Sequence, residues 1–113
     1  NAGNTCTHAE GSMVGSLEFC TGKLGSRLIL VLGHTQCGAI AGATATQQAG
    51  DSKAPGCALE GLLQGLASVA KEASDDLGPG VSQDKLISHA VKVNVFNSMN
   101  FLLKYSEPIR ELV

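Results

Sequence analysis

An imidazole and a thiol lie three residues apart in the segment Gly33-His34-Thr35-Gln36-Cys37-Gly38. On a tight turn the two side chains can point at one ion. The distances that suit zinc are about 2.0–2.1 Å for a histidine nitrogen and about 2.3 Å for a cysteine sulfur. Gly33 and Gly38 flank the pair where bulk would hinder the turn. Residues 39 to 48 are rich in alanine and free of proline, so a helix is expected there and Cys37 falls at its start. The positive end of a helix dipole is a favourable place for a thiolate, the form that binds metal. Taken alone, a His-x-x-Cys pair is weak evidence and reads first as a buried thiol beside a hydrogen-bonded histidine. Its context favours the metal.

That context is set by the elements on either side. Arg27 to Leu32 includes a continuous apolar run without alternation, as expected of a parallel strand covered on both faces. In open α/β folds, function gathers at the carboxyl ends of strands, which is where His34 and Cys37 would sit. Upstream, Thr7-His8-Ala9-Glu10 has the form of a capping box. A helix should follow, with Met13, Leu17, Cys20 and Leu24 on one face and Gly25 as its stop. Downstream, residues 49–57 read as a surface loop. A single amphipathic helix should then carry Leu59, Leu62, Leu63, Leu66, Val69, Ala70, Ala73 and Leu77, ending before Gly78-Pro79-Gly80. Ser82 can cap a last long helix with Leu86, Ala90, Val93, Phe96, Met99 and Leu103 inward, and Asn94, Asn97 and Asn100 on a polar stripe. Pro108 starts or bends a short terminal helix.

The expectation is one α/β domain over residues 1–113, a central parallel sheet flanked by helices, incomplete in this chain because only one strand is clear. Asn1 to Asn4 could end a second one. The remaining sheet must come from further sequence or from another chain.

Eight Lys+Arg against ten Asp+Glu, with no run of like charge, give no footprint for nucleic acid or an anionic membrane. The longest apolar stretch, Leu28 to Leu32, is far short of the ~20 residues of a membrane span. No secretory signal and no initiator methionine are seen, so Asn1 reads as the middle of a longer protein. Cys6, Cys20, Cys37 and Cys57 form no CxxC pair and no staple framework, which points to a reducing compartment. Cys20 is expected to be packed, Cys57 to be tolerated at a helix start, and Cys6 to be no metal ligand. His8 and His89 are expected to be structural.

Asn1-Ala2-Gly3-Asn4, Gly15-Ser16-Leu17-Glu18-Phe19 and LILVLGHTQCGAIAG from Leu28 to Gly42, in that order, resemble the β-class carbonic anhydrases. Asn94-Val95 and Ser106-Glu107-Pro108-Ile109 are similar to the family's pattern as well. The resemblance implies a zinc ion held by two cysteines and one histidine, with His34 and Cys37 as the second and third ligands. The first cysteine belongs to a Cys-x-Asp-x-Arg segment expected upstream of Asn1, together with the Asp–Arg pair that controls access of water to the metal. The family's terminal strand is expected after Val113. The resemblance also implies that Ala2 and Phe19 line an apolar carbon dioxide pocket, Phe19 reaching across a dimer interface, and that Gly38 is a backbone donor near the substrate. Phe19, commonly tyrosine in the family, is by residue type equally a core residue. Glu18 is expected to be structural.

The activity so implied is a lyase reaction, the reversible hydration of carbon dioxide to bicarbonate, by a homodimer or higher oligomer in the cytoplasm or an organelle such as the chloroplast stroma. Two other readings use the same scaffold: a non-catalytic subunit of a larger assembly, and a hydrolase for a related small molecule such as carbon disulfide.

Overall fold

A computed structural model describes residues 11–50 and 56–113. The capping box at 7–10, the strand end at 1–4, and Ala2, Cys6 and His8 lie outside the described residues.

Helix α1, Ser12–Gly22, begins at Gly11, which makes no side-chain cap. Its buried residue is Val14, while Met13, Leu17 and Cys20 are half-buried and Leu24 is exposed. The inward face is thus turned from the Met13–Leu24 stripe towards Val14, Leu17 and Glu18. Helix α2, Gly38–Ala49, is N-capped by Cys37 and stops at Gly50. It lies where the alanine-rich segment predicts.

The helix expected from 59 to 77 is two helices, α3, Ala58–Gly65, and α4, Ala67–Leu77. They meet at Leu66, which leaves helical dihedrals (φ −98°, ψ 1°) and whose N–H bonds Leu63 O at 3.1 Å, a tight i to i−3 closure. The bend carries Leu66 fully into the core, 0% exposed, and leaves Leu59 outside. Gly78 ends α4 at φ 73°, a conformation that favours glycine. Helix α5, Gln83–Tyr105, is capped by Ser82, whose Oγ accepts from Lys85 N at 3.3 Å. Its buried residues are Leu86, Ala90, Val93, Ser98 and Leu102, whereas Phe96, Met99 and Leu103 are exposed. Helix α6, Glu107–Leu112, has Pro108 in its first turn, where a missing N–H costs nothing.

Helices α2, α4 and α5 enclose the main core of Cys37, Ile40, Ala43, Leu66, Val69, Ala73, Leu86, Ala90 and Val93. A second core of Val14, Leu102 and Ile109 joins α1, α5 and α6, with Leu17, Ile29 and Phe101 against it. Helix α5, about 35 Å long at 1.5 Å per residue, runs through both.

The expected α/β architecture with a central parallel sheet is not what the described residues form: they are helical, with no strand among them. A strand is defined by ladder hydrogen bonds, so an apolar run can announce burial without supplying a partner. Arg27 to Leu32 crosses as irregular chain. Ile29 and Val31 are half-buried while Leu28, Leu30 and Leu32 are 79%, 67% and 76% exposed, so one face, not two, is covered. No described helix is long and apolar enough to cross a membrane.

Candidate metal centre

The turn between the irregular segment and α2 holds the two predicted ligands. Gln36 takes φ 54°, the left-handed region that non-glycine residues seldom adopt, and this sharp reversal separates the environments of its neighbours. Cys37 follows with extended dihedrals as the N-cap of α2, and its carbonyl accepts from Ala41 N at 3.0 Å. The residue is 5% exposed and belongs to the main core. His34, on the other side of the turn, is exposed.

His34 Nδ1–H donates to the Thr35 carbonyl at 2.9 Å. With Nδ1 carrying the proton, Nε2 keeps its lone pair. Metal-ligating histidines are commonly oriented in this way, by a carbonyl on the nitrogen that does not bind the ion. Gly33, His34, Thr35 and Gln36 form one wall of a cleft of about 510 Å³. Helix α5 forms the other, with Ile87, Ser88, Val91, Lys92, Val95 and Phe96. Lys92 is the one charged side chain in that lining besides His34 when protonated.

Among the described residues, no three His, Cys, Asp or Glu side chains are grouped so as to hold a metal. His34 and Cys37 fit zinc in donor type, an imidazole nitrogen and a sulfur on one turn, and a further donor would have to come from elsewhere. Gly38 is the first residue of α2, where N–H groups have no intrahelical acceptor, so it meets the backbone requirement of a donor. Phe19 projects from α1 at 55% exposure and does not line the cleft of His34. It is not a core residue. Ala2 lies outside the described residues.

The sequence model described as carbonic anhydrase matches residues 1–113, the whole chain. The chain belongs to the carbonic anhydrase family. No curated protein and no solved structure matches it. In this member of the family, the α5 wall of the cleft escaped sequence reasoning, because residues more than fifty positions from His34 carry no local sign of facing it. Thr35 and Gln36 escaped it too, since one acts through its backbone carbonyl and the other through its dihedral angle.

Other candidates fall away from the turn. Glu18 Oε1 accepts from Ser106 Oγ at 2.7 Å, an interhelix bond that suits a structural role. His89 Nε2 donates to Asp76 Oδ2 at 2.9 Å, joining α5 to α4, and beside it Asn97 Nδ2 donates to Glu72 Oε2 at 3.1 Å. Cys20 is half-buried and Cys57 exposed, both as free thiols.

Proposed function

We propose that this carbonic anhydrase family member is a zinc-dependent carbonate dehydratase that interconverts carbon dioxide and bicarbonate, with His34 and Cys37 as two of its zinc ligands. The observation that carries this reading is the state of His34: Nδ1 held by the Thr35 carbonyl and Nε2 left to bind, on a turn within a chain that the family matches throughout. Bound zinc supplies an acidified water as nucleophile, a chemistry for which carbonic anhydrases are the standard example.

The chain's own residues do the rest. Thr35 O holds the imidazole in one tautomer, and Gln36 in its left-handed turn brings the cysteine back to the start of α2. Gly38 offers a backbone N–H to the anionic product at the positive end of that helix. Ala2 and Phe19 are proposed to form the apolar wall for carbon dioxide, and the exposure of Phe19 suits contact with a second protomer. The bare Leu28, Leu30 and Leu32 face supports a homodimer or larger oligomer.

Metal analysis of the full-length protein, with and without Cys37→Ser, tests the proposal alongside the rate of carbon dioxide hydration. Stoichiometric zinc in the parent, less in the variant, and an enzymatic hydration rate are expected. Equal zinc in both sinks the ligand assignment. Full zinc with no hydration would instead mark a non-catalytic subunit or a hydrolase of a related molecule.

A further inference from the structure

The packing beneath the turn assigns a role to Gly33 that rests on the zinc reading but reaches beyond it. A Cβ built at Gly33 would lie 2.7 Å from Val91 Cγ1 and 3.0 Å from Val95 Cγ2, both on α5. Carbon atoms at rest against each other sit at about 3.5–4.0 Å, so the nearer contact would have to open by about 0.8 Å. Gly33 does not have a positive φ, so its backbone would accept alanine. What excludes a side chain is space alone.

The neighbours cannot readily give. Val91 and Val95 are β-branched residues within a helix, where one side-chain rotamer is strongly preferred. Val91 also packs against the core cluster that contains Cys37. Its side chain therefore lies against both the residue before one ligand and the core cluster to which the other ligand belongs. A shift of the backbone at 33 would move His34 and leave Cys37 anchored in the core.

We infer that Gly33 is a positioning residue: by lacking a side chain it lets the turn rest on Val91 and Val95, and this seat sets His34 relative to Cys37. Metal ligands tolerate errors of about 0.2 Å, well below the displacement a Cβ would force. Hydrogen-bonding partners that orient metal ligands are generally worth about 10–100-fold in metal affinity, and a displaced ligand is expected to cost on the same order.

The test uses the full-length protein with cobalt(II) in place of zinc, because the cobalt spectrum reports ligand geometry apart from any activity. Parent, Gly33→Ala, Val91→Ala and Gly33→Ala/Val91→Ala are compared for cobalt affinity, visible spectrum and helical circular dichroism. The expected result is a loss of about 10–100-fold in affinity with an altered spectrum for Gly33→Ala. Removing Val91 Cγ1 in the double variant lets the new Cβ take its place and should restore most of both, while Val91→Ala alone, with only Val95 left as the seat, should fall between the parent and Gly33→Ala. Parent-like cobalt binding by Gly33→Ala, or a double variant as weak as Gly33→Ala, overturns the positioning role and leaves the zinc reading standing. Failure of the parent itself to bind cobalt overturns the zinc reading, and the role of Gly33 with it. Should Gly33→Ala lose its helical signal, the double variant decides: regained helicity with cobalt binding still weak overturns the role, and recovery of both supports it.

Discussion

Ser106 Oγ donates to Glu18 Oε1 at 2.7 Å across 88 residues of sequence, and Ser106 Oγ itself accepts from Ile109 N at 3.4 Å. One buried hydroxyl thus ties α1 to the junction of α5 and α6 and caps α6 at the same time. Val14, Leu102 and Ile109 close around that junction. Removing the hydroxyl strands a part-buried carboxylate oxygen and uncaps a helix. Ser106→Ala should therefore lower stability by about 1–3 kcal/mol. Glu18→Gln keeps an acceptor oxygen and should lose under about 1 kcal/mol. Urea unfolding of both variants checks the order, and equal losses would show that the charge, not the acceptor, matters.

The two proposed ligands should separate in a stability experiment because the turn places them differently. His34 is exposed, so His34→Ala should change the unfolding free energy by no more than about 0.5 kcal/mol while weakening metal binding. Cys37 is enclosed by aliphatic side chains, so Cys37→Ser puts a hydroxyl among them and should cost about 1–3 kcal/mol in metal-free protein, besides the metal. Metal-free unfolding curves and zinc content, measured on the same samples, give both numbers. A destabilised His34→Ala would contradict the exposed placement.

Gln36 supplies a prediction about the turn itself. At φ 54° a β-branched residue is strained, and Gln36→Val should cost about 1–2 kcal/mol. Gln36→Gly removes the strain but adds freedom to the unfolded chain, so its stability should stay within about 1 kcal/mol of the parent. Thermal and urea unfolding distinguish the two outcomes. A harmless Gln36→Val would mean that the left-handed turn is not retained in solution.

Local chemistry was legible in the sequence wherever it is local in the structure. The Ser82 cap, the helix after Cys37, the turn at Gly78 and the short helix around Pro108 each depend on residues within a few positions. Choices made by distant packing were not legible. Between Leu59 and Leu77 the local hint of the break at Leu66 is Gly65, the last residue of α3, and it is outweighed in the sequence by an apolar spacing that continues through it. In α5 the stripe through Phe96, Met99 and Leu103 is as apolar as the buried one, and what selects Leu102 is contact with Val14 of α1 and Ile109 of α6. The Arg27–Leu32 run misled for the same reason, since hydrophobicity records a wish for cover and not the partner that provides it. His34 and Cys37 were named by type and spacing. Their opposite environments came from a single dihedral angle at Gln36, which no composition encodes.

Leu28, Leu30 and Leu32 carry the last prediction. Three large aliphatic side chains on one face of one segment, all more than half exposed, form the kind of apolar patch that marks an interface. In a two-fold dimer each protomer contributes the same face, so a change at Leu30 acts twice. Burying one leucine is worth about 1.5–3 kcal/mol, and two together correspond to a loss of at least about 100-fold in association when they are removed. Leu30→Glu adds the cost of a buried charge to that loss. The expected result in sedimentation velocity is a dimer or larger species for the full-length parent and a dissociated form for Leu30→Glu at the same concentration, with helical circular dichroism unchanged. If the variant sediments as the parent does, the interface lies on another surface, and if the parent is a monomer, the proposed homodimer is wrong.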